Sequence, residues 1–283
     1  MAGPLPRTEI IERIRKLEAA GQFDRDVEDD PPTVPIKRGE VDYLGKKLSS
    51  RISTCVANRV ARHHFDGCIK RGELVIDGVE GIDNYLAAAG GGLIITCNHF
   101  NPFDNYVVFK ALQPYLKNQI LYKIIREGNY TNFPGLYGFF FRHCNTVPIP
   151  SRLPALKEML EATDVLLRRG EKILIYPEQG MWWNYRKPRP LKSGAFMFAV
   201  RAGVPVLPTF ITMRDTDVRD SEGFPVQAHT LHILPALRPG GSMSNREAEH
   251  DLRDRNYACW KEVYERVYGI PLTYSDGPAP AAE

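Results

Sequence analysis

The stretch Leu93-Ile94-Ile95-Thr96-Cys97-Asn98-His99-Phe100-Asn101-Pro102-Phe103-Asp104 passes from an apolar run into polar residues. The apolar half predicts a buried strand, because parallel strands covered on both faces show such continuous runs. Similar runs occur elsewhere in the chain, at 74–76, 120–125, 173–176 and 204–211. Helical patterns lie between them, at 106–116, 156–169 and 195–202. Strands that alternate with helices predict an α/β fold, a layered sheet flanked by helices.

Two helices are predicted before this sheet. Apolar residues with helical spacing occur within 7–20, and an acidic stretch with two prolines at 24–32 predicts a linker. A longer helix is predicted over 44–71. We expect its apolar stripe to pack on a core; the stripe consists of Leu48, Ile52, Cys55, Val56 and Val60. The other face carries cations and can instead lie against anionic lipid headgroups; these are Lys46, Lys47, Arg51, Arg59 and Arg62.

Composition restricts the class of protein. The 283 residues are 43% hydrophobic and 25% charged, which is typical of a globular protein and excludes a disordered one. The 37 basic and 34 acidic side chains leave a net charge of +3, too small an excess to indicate a nucleic-acid partner. We expect an N-terminal helical extension at 1–72, a main domain at 73–273 that closes with a helix over 257–268, and a flexible tail at 274–283.

The sequence shows no apolar run long enough to span a membrane and no signal peptide. We therefore expect a cytoplasmic protein whose membrane contact, on the inner face, is peripheral. The five cysteines are odd in number and have no metal-ligand spacing, so we expect neither disulfides nor a metal site.

The first candidate for chemistry is the pair His99 and Asp104, directly after the buried strand. Ligands bind where strands of an α/β sheet end. A turn at Asn101-Pro102 can bring the carboxylate back to the imidazole, and an imidazole held by a carboxylate is a good general base. The alternative is structural, with Asp104 capping the next helix and His99 packed in the interior.

Two further segments are candidate binding elements. Residues 176–183 follow another predicted strand and lead into a loop rich in cations, which suits a phosphate or another anion. The cations are Arg186, Lys187, Arg189 and Lys192. Residues 133–142 carry five aromatic side chains, which can line an acyl-chain channel or enter a membrane interface. The alternatives are a solvated basic loop and an ordinary core segment.

The order of these blocks resembles the glycerolipid acyltransferase family, typified by lysophosphatidic acid acyltransferases. The family's Asn-His-x-x-x-x-Asp block is similar to Asn98-His99 with Asp104, and its stretch ending in arginine to residues 147–152. Its Phe-Pro-Glu block resembles Tyr176-Pro177-Glu178, followed by a Lys-Gly-Ala-Phe-like segment at 192–196 and a Val-Pro strand at 204–208. The resemblance covers residues 73–212, about half of the chain.

The resemblance implies transfer of an acyl group from acyl-CoA or acyl-carrier protein to a hydroxyl of a lysophospholipid, first of all 1-acylglycerol-3-phosphate, in phospholipid biosynthesis. His99 is then the base and Asp104 orients it, with no cofactor beyond the co-substrate. The substrate-binding residues are expected to be Arg152, Glu178, Gly180, Arg186, Lys187 and Lys192. The third block departs from the family: its glycine is displaced by one position and its arginine is absent, which leaves the acceptor open.

Three alternatives remain at this point. Cys97 lies on the same side of its strand as His99, so a thiolate could form an acyl-enzyme. The altered third block also allows a non-catalytic lipid-binding or membrane-associated protein on the same fold. A nucleotide-binding enzyme is disfavoured, because the glycines at 90–92 precede the strand and no phosphate-loop lysine is present.

Overall fold

The computed structural model describes residues 5–29 and 32–274. Its seven strands are β1 (Val75–Glu80), β2 (Leu93–Thr96), β3 (Leu121–Arg126), β4 (Thr146–Ile149), β5 (Lys172–Ile175), β6 (Val206–Arg219) and β7 (Pro225–Ile233). Over these residues they form one sheet in the order β1-β7-β6-β2-β5-β3-β4. The five strands from β6 to β4 run parallel, whereas β7 is antiparallel to β6 and parallel to β1. The expected α/β sheet is confirmed.

Helices cover both faces of this sheet. They are α1 (Arg7–Ala19), α2 (Leu48–Lys70), α3 (Ile82–Ala88), α4 (Asp104–Leu112), α5 (Glu127–Asn132), α6 (Gly135–His143), α7 (Leu153–Arg168), α8 (Gly194–Ala202) and α9 (Asn245–Tyr268). Buried side chains of α7, α8 and α9 form one core, and those of α2, α3, α4 and α6 form the other. Alternation along β2 supplies both cores, because Ile94 faces the first and Ile95 the second.

The last helix begins twelve residues before the predicted start at 257. Ser244 caps it: the Ser244 side chain accepts from the Glu247 N–H, and the Glu247 side chain accepts from the Ser244 N–H. This reciprocal cap satisfies two groups that a helix end otherwise leaves unpaired. The Ser-x-x-Glu spacing was readable in the sequence. Strands β4 and β7 were not predicted, since β4 is short and β7 carries two histidines.

The expectation for α2 was wrong about which face is buried. The predicted stripe faces solvent, with Leu48 68%, Ile52 56% and Val56 50% exposed. The buried residues are Ala57, Ala61, Phe65 and Cys68. Small alanines allow α2 to pack closely against α6, and the aromatic ring of Phe65 fills the core beyond them.

The predicted linker is also packed rather than free. Val27 is fully buried, and the Phe23 ring stacks on Trp182 at 5.8 Å between centroids. Tyr274, the first residue of the predicted tail, is buried in the same cluster. The rest of that tail, residues 275–283, lies outside the described residues. No helix in the described ranges is long and apolar enough to cross a membrane.

Candidate active site at the carboxyl ends of the strands

The predicted turn does bring His99 and Asp104 together. The imidazole Nδ1 lies 2.7 Å from the carboxylate Oδ2. Asp104 is the first residue of α4, and its side chain is fully buried. The same oxygen also accepts from the Phe100 N–H at 3.3 Å, so the loop backbone fixes the carboxylate. A neutral imidazole that donates its Nδ1–H to this carboxylate presents Nε2 as its proton acceptor.

Tyr176 completes this arrangement from the neighbouring strand. Its hydroxyl donates to Asp104 Oδ1 at 2.7 Å, and its ring stacks on the His99 ring at 4.2 Å between centroids. Burial, together with the Asp104 charge, raises the pKa of the Tyr176 hydroxyl well above its usual value. The hydroxyl therefore stays protonated and remains a donor. No role for Tyr176 was predicted from the sequence. Its position directly after β5, which pairs with β2, indicates that it can lie near His99.

Asn98 ties the end of β2 to β6. Its side-chain oxygen accepts from the Ile211 N–H at 2.8 Å, and its amide donates to the Ile211 carbonyl at 3.0 Å. Both hydrogen bonds are buried. They fix the position of Asn98, the residue before His99, and satisfy its polar side-chain atoms inside the protein.

A cavity of about 770 Å³ opens beside His99. Aromatic side chains of α2, α4 and α6 line much of it: Phe65, Tyr106, Phe109, Tyr137, Phe140 and Phe141. Phe133 also contributes, whereas Phe139, included in the predicted aromatic segment, is not part of the lining. An aromatic cavity of this size suits an extended apolar ligand whose reactive end lies at His99.

Glu178 lies inside the protein rather than in the cavity. Its carboxylate accepts from the His99 N–H at 3.0 Å, the Arg189 N–H at 2.8 Å and the Arg189 guanidinium at 3.2 Å. The Glu178 and Arg189 side chains are 2% and 1% exposed. Burial lowers the pKa of Arg189, and the Glu178 charge opposes that shift. The structure thus places Glu178 on protein donors, where it joins the loop after β5 to the backbone of His99.

The altered third block has a specific backbone geometry. Gln179 stands where the family has glycine, and its φ is 67°, in the left-handed region that favours glycine. The displaced Gly180 permits a close approach, because a Cβ there would lie 2.5 Å from the Asp26 carboxylate. That carboxylate accepts from the Arg126 guanidinium at 2.6 Å and 2.8 Å. Arg126, which lines the cavity at the end of β3, was not singled out from the sequence.

The remaining predicted binding residues are separated in space. Lys192 is exposed and lines the cavity just before α8. The structure does not bring the other three to the cavity lining. Arg186 pairs with Asp215 at 2.6 Å and Lys187 with Glu18 at 2.5 Å, whereas Arg152 is exposed just before α7.

Comparisons with known proteins give a family match and a structure of similar fold. The family model described as Acyltransferase matches residues 78–212, just under half of the chain, and the match contains both His99 and Asp104. Over these residues the chain is similar to the acyltransferase family. A search of curated proteins found no significant match. A similar solved structure is PlsC, the 1-acyl-sn-glycerophosphate acyltransferase from Thermotoga maritima: it is 20% identical, with 82% of this chain and 87% of that chain covered and a TM-score of 0.51. At this identity the likeness shows a shared fold.

Cys97 has the wrong environment for a nucleophile. Its side chain is fully buried and does not line the cavity. Burial, with a contribution from the Asp104 charge, raises the pKa of the Cys97 thiol well above its usual value. A nucleophilic cysteine needs a lowered pKa and access to substrate. The acyl-enzyme alternative therefore has no support in this geometry.

Within residues 5–29 and 32–274, no group of three or more histidine, cysteine or acidic side chains is placed to hold a metal ion.

Proposed function

We propose that this acyltransferase acts on glycerolipids, moving an acyl group from acyl-CoA or acyl-carrier protein to a hydroxyl of a lysophospholipid of the 1-acylglycerol-3-phosphate type. Phospholipid biosynthesis is the corresponding process. The observation that carries the proposal is the His99–Asp104 hydrogen bond at 2.7 Å beside a large aromatic cavity. The similar fold of PlsC supports it.

In the proposed reaction, His99 Nε2 takes the proton of the acceptor hydroxyl as its oxygen attacks the thioester carbonyl. The carbonyl π bond opens, and when it re-forms the carbon–sulfur bond breaks. The departing thiolate takes the proton from the imidazolium, so the products are an ester and a free thiol. Asp104 stabilises the imidazolium, and a positioned base of this kind contributes about 10²- to 10⁴-fold to rate.

In this proposal the cavity binds both the acyl chain and the phosphate of the acceptor. The aromatic side chains of α6 enclose the acyl chain. Lys192 and the first backbone N–H groups of α8 bind the acceptor phosphate, since a helix N-terminus favours an anion. Glu178, Gly180, Arg186 and Lys187 support the loop that carries this site. Arg152 lies before α7, outside the cavity lining, so we assign it no direct contact with the acyl chain.

The exposed face of α2 docks the enzyme on a membrane in this proposal. Leu48, Ile52 and Val56 form an apolar row that no described residue covers, and cations flank it at 46, 47, 51 and 59. Apolar side chains beside cations suit the surface of an anionic bilayer. Asn58, Ala61 and Arg62 of the same helix line the cavity, so docking would bring lipid substrates to its mouth.

The test is thiol release from palmitoyl-CoA by the purified protein, with and without lysophosphatidic acid. We expect release that needs the acceptor, a loss of at least 10²-fold in His99→Ala and a strong decrease in Asp104→Asn. His250→Ala is the matched control, because His250 does not line the cavity. Full activity in His99→Ala would refute the mechanism. Saturable lipid binding without release, across other lysophospholipids and acyl-carrier donors, would instead support a non-catalytic lipid-binding protein.

Membrane docking has its own test in vesicle co-sedimentation. The double variant Ile52→Asp with Val56→Asp should bind vesicles containing phosphatidylserine more weakly than the wild type, because it places charge in the apolar row. Val218→Asp, at an exposed valine of β6, is the control. Equal binding by all three proteins would contradict this surface.

A further inference from the structure

Lys123 is a cation on the inner wall of the aromatic cavity. It lies on β3, two residues after the buried Leu121, whose side chain faces α2 and α6. Because side chains alternate along a strand, the Lys123 side chain lies on the same face of the sheet. Its Nζ donates to the Cys144 carbonyl at 3.0 Å. Among the described residues, this carbonyl is the single hydrogen-bond partner of the ammonium. No carboxylate is among the groups that shift its pKa.

Two fully buried cations in the described part of the chain have more acceptors than Lys123. Lys172, on the neighbouring strand, donates to the carbonyls of Ala89, Gly91 and Gly170, one for each of its N–H groups. Arg189 has the Glu178 carboxylate. Lys123 differs because two of its three N–H groups have no acceptor among the described residues. Lys123 is half-buried on the cavity wall. A polar group that is shielded from water and has no partner is costly, so a position like this needs a ligand or water.

The register of the sheet gives the distance between Lys123 and Tyr176, whose ring stacks on His99. Lys123 pairs with Leu174, which is two residues before Tyr176 on the adjacent strand. At about 3.3 Å per residue and about 4.8 Å between strands, the Cα atoms of Lys123 and Tyr176 lie about 8 Å apart. The Lys123 side chain reaches Cys144, toward the start of the strands, and therefore away from His99.

The wall around Lys123 is polar as well. Thr146, its register partner on β4, lines the cavity, and so does Asn58 of α2. The Asn58 side-chain oxygen accepts from Asn145, which directly precedes Thr146. Burial lowers the pKa of the Lys123 ammonium, as expected for a cation without a counter-ion. A saturated chain that covered this wall would remove water from Lys123 and offer it no acceptor in return.

We propose that Lys123 recognises an oxygen on the distal part of the acyl chain, so that the preferred donors are acyl groups carrying a hydroxyl well beyond the thioester. A hydroxyl oxygen accepts from one of the N–H groups that the protein leaves without an acceptor. The aromatic rings that line the cavity still enclose the apolar part of the same chain. This inference rests on the proposed function, because it names the acyl substrate of that same cavity.

The experiment compares stearoyl-CoA with mid-chain hydroxystearoyl-CoA in the thiol-release assay. We expect kcat/KM of the wild type to favour the hydroxylated donor by about tenfold, the effect of one hydrogen bond to a charged group. Lys123→Met should remove this preference, and Lys123→Gln, which keeps an N–H donor, should retain part of it. Lys261→Met, an exposed lysine of α9, is the control and should keep the wild-type ratio.

Equal kcat/KM values for the two donors in the wild type would overturn the inference, and so would a preference that persists in Lys123→Met. The dissociation constants of both donors, measured without acceptor, separate this result from a failure of the proposed function. Absence of thiol release with a binding preference that depends on Lys123 would refute the reaction and support the lysine's role. Equal binding of the two donors by the wild type would refute the role of Lys123 whatever the activity.

Discussion

Replacing Glu178 by glutamine leaves the Arg189 guanidinium buried without its ion-pair partner. Both side chains are almost completely shielded from water, and the carboxylate also accepts from two backbone N–H groups. Glutamine keeps one oxygen acceptor but turns its NH₂ group toward donors. We therefore expect Glu178→Gln to act mainly on stability, through the loop that joins β5 to His99.

The size of the effect follows from this burial. Removing one partner of a buried ion pair costs about 3–5 kcal/mol, because the remaining charge cannot be solvated. Since glutamine retains an acceptor, we expect the free energy of unfolding to fall by about 3 kcal/mol, near the lower end of that range. For a chain of this size, such a loss lowers the unfolding midpoint by about 5 °C.

Urea denaturation followed by circular dichroism measures this change directly. Glu12→Gln, which removes one partner of an exposed pair with Lys16, is the matched control and should unfold like the wild type. A double variant, Glu178→Leu with Arg189→Met, removes both charges and should recover part of the lost stability. If Glu178→Gln unfolds at the wild-type urea concentration and only raises KM for the acceptor, the reasoning is refuted and Glu178 is a substrate ligand.

Three further predictions concern single residues of the site and sheet. Tyr176→Phe keeps the ring on His99 but removes the hydrogen bond to Asp104, and we expect kcat/KM for thiol release to fall about tenfold; wild-type kinetics would contradict this. Gln179→Gly relieves the left-handed backbone at φ 67°, so in urea denaturation it should be more stable than Gln179→Ala by about 1 kcal/mol, and equal stabilities would show that the strain is absent. Lys172→Met removes the donor of the Gly91 and Gly170 carbonyls, whereas the Ala89 carbonyl still accepts from Gln119. It should lower the free energy of unfolding by about 3 kcal/mol, and an unchanged unfolding curve would mean that water replaces the ammonium.

Features carried by short segments were predictable from the sequence. The apolar runs identified β2, β3, β5 and β6, and their alternation with helical patterns identified the α/β fold. The approach of Asp104 to His99 was predictable because only four residues separate them. The order of the sequence blocks also indicated the acyltransferase family, whose model matches residues 78–212.

The environment of these residues depended on contacts between distant parts of the chain. The helical spacing of α2 determined which residues share a face of the helix. It could not show that the face with Ala57 and Ala61 would be buried while Leu48 and Ile52 faced solvent. Hydrophobicity alone predicts that the larger side chains of α2 are the buried ones. Close packing of two helices instead favours small residues at the contact, and that choice depends on the partner.

The sequence by itself determined the strand, turn and helix that carry His99 and Asp104, because these elements are set by local hydrophobicity and backbone preference. Tertiary structure alone decided that the Tyr176 hydroxyl would donate to Asp104. It also decided that the Glu178 carboxylate would form a buried ion pair with Arg189. Arg186 and Lys187 likewise form their ion pairs outside the cavity only because of the tertiary structure. These outcomes depend on which strands adjoin and which opposite charges meet. Spacing along the chain does not specify either, because the groups involved are brought together only when the sheet assembles.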